Sequence, residues 1–157
     1  MKKIVFVFIA LFATAIIACN NSNDNKQETT TDNKQAIADS LQQEVMDGHD
    51  AAMPKSTKIP RLQEQAQRMI DSIAKLPAKA REAAAPLKVK LEGLVKELGD
   101  AYNAMDKWMV EFNMDSAKAD IEQRIKYLTE EKLKVDKVKD AVLGSIAKAD
   151  SLLKAKL

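Results

Sequence analysis

Beyond residue 33, apolar residues return every three or four positions, the spacing that lines them along one side of a helix. Residues 34–52 read as a first helix with Ile37, Leu41, Val45 and Ala52 inside and His49 towards one edge. Pro54 is expected to end it, because its ring opposes a continuing helix and restricts Met53. A second segment starts near Ile59 or Pro60, since proline is tolerated in a first turn. Leu62, Ala66, Met69, Ile73 and Leu76 share its inner face. Pro77 and Pro86 then leave residues 78–85 open between a kinked continuation and a connector between separate helices.

The third segment is more regular: Leu87, Leu91, Leu94, Leu98, Ala101, Met105, Trp108 or Met109, and Phe112. Gly99 weakens its middle by about 1 kcal/mol relative to alanine without breaking the pattern. Asn113 and Met114 offer a reversal, with Asp115 or Ser116 available to cap the next helix. Residues 117–153 form the longest segment, ~55 Å at ~1.5 Å per residue. Its stripe is Ile121, Ile125, Leu128, Val135, Val142, Ile146, Ala149 and Leu153; Lys132 and Lys139 interrupt it and Val138 broadens it. That regularity resembles a coiled coil, but the lysines reach water more easily inside an antiparallel bundle. The expected fold is all-α: an antiparallel three- or four-helix bundle, residues 34–157, with a long C-terminal helix.

A different pattern precedes these helices. Lys2 and Lys3 are followed by an apolar run over residues 4–18, and the only cysteine, Cys19, comes next. A basic start, an apolar stretch and a small residue at the junction are the parts of a secretory signal. Ile16, Ile17, Ala18 and Cys19 together resemble a bacterial lipobox, with cleavage before Cys19 and acylation of its thiol. An ordinary signal peptide and an uncleaved membrane helix are the competing readings; the run is shorter than the ~20 residues that span a bilayer comfortably. The lone thiol has no partner for an internal disulfide. Residues 1–18 therefore read as a lipoprotein signal. Residues 19–33, rich in Asn, Asp, Thr and Ser, read as an acylated cysteine and flexible tether, because they offer nothing to bury. The expected location is the bacterial cell envelope, at the outer membrane, held by acyl chains.

Removing the signal also alters the charge. The whole chain has 25 Lys plus Arg against 23 Asp plus Glu. Without Lys2 and Lys3 the two are equal, so no basic excess remains to attract nucleic acid. Lys132, Lys134, Lys137 and Lys139 are interspersed with Glu130, Glu131, Asp136 and Asp140, which reads as a solvated helix surface.

Reaction-site signatures are missing: there is no Gly-rich phosphate loop, His-Glu-x-x-His pattern or nucleophile elbow. Asp120 with Glu122, or Glu130 with Glu131, makes no recognisable catalytic pair. One constellation merits a test. Met46, His49 and Met53 flank the first helix, and Met105, Trp108 and Met109, with Met114 beyond, form a second group. Thioethers and imidazole suit copper(I); haem held by one His and one Met is the less favoured ligand. Trp108 and Phe112 would pack beside such a ligand, and Glu44, Asp47 or Asp50 would orient the imidazole. The competing reading is packing alone, for which Met, a core-edge His and both aromatics are well suited. Topology decides whether the groups meet. A reversal at 77–86 brings His49 towards Met105 or Met109; one bent rod over 59–112 separates them by roughly tens of ångströms.

The Cys19 junction, the segment Val45-Met46-Asp47-Gly48-His49-Asp50-Ala51-Ala52-Met53-Pro54, the segment Met105-Asp106-Lys107-Trp108-Met109 and the helical end at 135–153 carry a resemblance. The chain looks like small lipoproteins from Bacteroidetes, some labelled "viral A-type inclusion protein". In those, the second segment commonly looks like Met-Met-Asp-Trp-Met, and here Ala104 replaces its first methionine. The resemblance implies an envelope location and a helical fold, and supplies no catalytic residue. Gly48, beside His49, reads as a local weakening of the first helix. The expectation is a non-enzymatic envelope lipoprotein that binds an envelope protein or a second copy of itself, with copper(I) binding as the alternative.

Overall fold

A computed structural model describes residues 24–154, so Cys19, the signal at 1–18 and residues 19–23 lie outside the described residues. Four helices make up the all-α bundle: α1 (Asp24–Ser56), α2 (Ile59–Ala74), α3 (Ala78–Glu111) and α4 (Ile121–Leu152). Ion pairs and contacts give their directions. Lys34 pairs with Glu122, Glu44 with Lys132, and Gly48 faces Val135, so α1 and α4 run parallel. Along α3 the order is reversed: His49 meets Trp108, Gln63 donates to the Val95 carbonyl at 3.0 Å, and Arg81 reaches the Ala74 carbonyl. Glu97 with Lys148, and Trp108 with Glu131, set α3 antiparallel to α4. The four helices are therefore laid out as three rods, α1 and α2 following one another in the same sense.

Proline chemistry explains that joint. Pro54 lies inside α1, in its last turn, and does not end the helix where the sequence suggested. Pro60 has no N–H to offer the Ser56 carbonyl, so the ladder breaks over residues 57–58. Lys58 nevertheless keeps right-handed helical dihedrals, and Leu62 N–H still donates to its carbonyl at 3.1 Å. The orphaned carbonyls nearby are satisfied locally: Ser56 Oγ donates to Met53 at 2.8 Å and Thr57 Oγ1 to Pro54 at 2.7 Å. The rod is interrupted without being turned.

Chain reversal comes instead just before α3. Lys75 and Leu76 close a tight turn onto Ser72 and Ile73, and Pro77, extended at φ −54° and ψ 151°, enters α3. Residues 78–85 are the first turns of α3, and Pro86 is carried inside it. Helical backbone also reaches back to Asp24, ten residues before the expected start at Lys34. Residues 24–33 have no apolar side chain, so they extend the packed part of α1 by propagation, which adds a hydrogen bond per residue once a nucleus exists.

The core follows a seven-residue spacing. Ala38, Val45, Ala52, Ile59, Ala66 and Ile73 are all buried along α1 and α2, straight across both prolines. On α3 the buried rows are Leu91, Leu98, Met105 and Leu94, Ala101, Trp108. On α4, Leu128, Val135, Val142 and Ala149 alternate with a row containing buried Arg124, Glu131 and Ser145. This is the three-four alternation of a left-handed coiled coil. Lys132 and Lys139 sit at the margin, half-buried and paired with Glu44 and Asp136.

The connection before α4 is longer than expected. Phe112 leaves α3 extended, the Asp115 N–H donates to Asn113 Oδ1 at 2.9 Å, and Ala117 takes a left-handed φ of 56°. Arg124, 6% exposed, donates to the Ser116 carbonyl at 2.7 Å and to Gln42 Oε1 at 2.6 Å, tying the loop to α1. The cap of α4 is Asp120, in place of Asp115 or Ser116; its Oδ1 accepts from the N–H groups of Glu122 and Gln123. The Gln123 N–H is the chief cause that holds the Asp120 carboxyl below its ordinary range. A depressed carboxyl contributes stability above its unfolded-state pKa, and that contribution is lost as pH falls through the folded value. Asp120→Ala should therefore lower Tm at neutral pH, and the gap to wild type should close in strong acid. Thermal melts followed by circular dichroism check both.

Candidate functional site

The C-terminal turns of α3 lie beside the C-terminal turns of α1 and face the N-terminal half of α4, and most chemistry-bearing side chains meet there. Trp108 and Phe112, one helical turn apart, stack with centroids 4.9 Å apart and planes 16° apart. His49 lies beside Trp108 at 5.8 Å, its ring tilted by 34°, and Tyr127 stacks on Phe112 at 6.2 Å. The Tyr127 hydroxyl accepts from the Asn113 N–H at 2.8 Å, fixing the outer end of the row to the loop.

Beneath this row lies a buried carboxylate. Glu131 is 4% exposed, and its Oε2 accepts from Trp108 Nε1 at 3.0 Å while Oε1 accepts from Lys134 Nζ at 2.7 Å. Both oxygens are satisfied, one by a neutral donor and one by a cation at the bundle edge, which is what allows a carboxylate to stay inside. The hydrogen bond to Glu131 is the chief cause that raises the Lys134 pKa. Among the described residues, no buried side-chain nitrogen or oxygen lacks a hydrogen-bond partner.

The acidic neighbours of His49 divide their roles. His49 Nδ1 lies 2.8 Å from Asp50 Oδ1, whereas Asp47 accepts from Gln43 and Glu44 pairs with Lys132. Asp50 is thus the carboxylate on the imidazole, at an exposed site. Gly48 has a different task from the weakening expected of it. A Cβ built there would lie 2.9 Å from Val135 Cγ1, so the missing side chain is what lets α1 approach α4.

The reversal before α3 brings the two methionine groups together in part. Met53, Met105 and Met109 line one pocket of about 80 Å³ with Ser56, Tyr102 and Asp106. Met105 is 1% exposed and fully inside, while Met53 and Met109 are half-buried at the rim. Neither Met46 nor His49 is among the residues lining it. Among the described residues, no group of three or more His, Cys, Asp and Glu side chains is placed to hold a metal ion. The same residues include no helix long and apolar enough to cross a membrane.

Sequence reasoning overlooked Glu131, Arg124 and Tyr127. Glu131 was read with Glu130 as surface, although Arg124, Glu131, Val138, Ser145 and Leu152 are spaced by seven and share a row. That row, laid beside Leu128, Val135, Val142 and Ala149, is the signal that points to burial. Comparison with protein-family models, curated proteins and solved structures finds no match to the chain.

Proposed function

We propose that the chain is a lipid-anchored envelope module whose helical bundle binds another protein, with no reaction of its own. The observation that carries this reading is the contrast between inside and outside. Inside, Trp108 bonds to Glu131, which Lys134 caps from the bundle edge, and Arg124 ties the loop to Gln42 of α1, which rigidifies the body. Outside, large apolar side chains remain in water, with Val110 81% exposed, Val89 66% and Leu133 58%. Such side chains are ordinary singly on a surface, and on a rigid helical body they are available to a partner's apolar groove. The anchor itself rests on Lys2, Lys3, the apolar run and Cys19. Two acyl chains or more hold firmly, at about 0.8 kcal/mol per buried CH₂.

A photo-crosslinking residue placed at Val110 or Leu133 of the full chain, irradiated in intact membranes, tests the reading. A discrete adduct from these positions, absent from charged positions such as Lys79, is the expected result, and a fatty-acid label fed to the cells should mark the wild-type chain and not Cys19→Ala. Membranes that give no adduct at either apolar position would overturn the binding role. A wild-type chain that takes up no fatty-acid label would overturn the anchor.

A further inference from the structure

We propose that Met53, Met105 and Met109 form a binding site for a soft monovalent cation of the copper(I) class. Met105 and Met109 are one turn apart on α3, and Met53 comes from the crossing turn of α1, so two rods supply three thioethers to one space. All three also pack on the apolar core, and the pocket they line, about 80 Å³, opens to solvent beside the exposed Tyr102 and Asp106, which gives an ion a route to the sulfurs from outside.

The chemistry of the lining selects the ion. Thioether sulfur is a soft donor that favours copper(I) over zinc, magnesium or calcium. Three neutral sulfurs leave the ion's single charge uncompensated, and Asp106, also in the lining, supplies one carboxylate. Met53 Sδ already sits 3.6 Å from the Ser56 hydroxyl, which is 2% exposed. That sulfur is therefore turned towards a polar group inside the bundle. Methionine's unbranched side chain lets all three sulfurs reorient without moving the backbone. No proton leaves a thioether on coordination, in contrast to a thiol, so binding needs no titrating ligand. His49 belongs to the neighbouring aromatic row, and neither it nor Met46 lines this pocket.

Silver(I), which is redox-silent and equally soft, is the probe, added to the full chain carrying Cys19→Ser so that the only thiol is absent. The ε-methyl resonances of the methionines report the ligands directly in the unmutated site. One equivalent should bind and shift Met53, Met105 and Met109, leaving Met46 and Met114 in place. Met53→Leu and Met109→Leu, near-isosteric changes that preserve helical content, should each weaken binding at least tenfold, and Met46→Leu should not. Absence of one-to-one binding, shifts confined to Met46 or Met114, or affinity unaltered in Met53→Leu and Met109→Leu would overturn the site.

Discussion

Trp108→Ala is expected to remove about 3–5 kcal/mol of stability, the range for truncating a buried tryptophan. Two losses combine. The indole is 5% exposed and leaves a void between His49 and Phe112. Glu131 also loses the donor on Oε2, so an inward carboxylate is left half-satisfied. Trp108→Phe separates the two in large part: it keeps an aromatic ring in the row, deletes the N–H and gives up only the smaller part of the indole volume, and should cost about 1–3 kcal/mol. Domains of this size hold only about 5–15 kcal/mol in total. Urea titrations should therefore show a large fall in midpoint for alanine and a smaller one for phenylalanine. A phenylalanine variant as stable as wild type would mean that the hydrogen bond to Glu131 contributes nothing.

Gly48→Val should cost about 2–3 kcal/mol, through overpacking at the α1–α4 crossing. Valine and glycine are both indifferent helix formers, so propensity does not offset the collision. The obstructing atom is a γ-methyl of Val135, itself fully buried and β-branched, which leaves little rotamer freedom for escape. Val135→Ala in the same chain should return part of the loss, a coupling that denaturant unfolding of the four members of the double-mutant cycle would reveal. Gly93 and Gly144 have open space where a Cβ would go, so alanine there should be neutral or mildly stabilising.

Much of the helical content was legible because burial imposes its period on the chain. Leu91, Leu94, Leu98, Ala101, Met105 and Trp108 stand in the sequence as the row they form in α3, and Pro60 and Pro77 mark true boundaries. The direction taken at each proline was not legible. Pro54 and Pro60 together look like a stop and a restart, and the chain between them stays helical at Lys58, so the rod runs on. Pro77 and Pro86 look alike in sequence, yet only the first stands at a turn.

The site was half legible for a related reason. Trp108, Met105 and Met109 announce themselves by rarity and spacing, whereas Glu131 and Arg124 are charged and look like solvated surface. Their burial depends on partners far along the chain: Trp108 for the carboxylate, Gln42 and the Ser116 carbonyl for the guanidinium. Gly48 is similar. Its use appears only when Val135, 87 positions away, is set against it.

The chain's only tryptophan makes the buried bond between α3 and α4 directly observable. In a ¹⁵N-labelled sample the Trp108 indole N–H should give one resonance whose hydrogen exchange is as slow as global unfolding, and Glu131→Ala should speed it strongly. Rapid exchange of that proton in the native protein, or a rate indifferent to Glu131, would contradict three rods packed in this register.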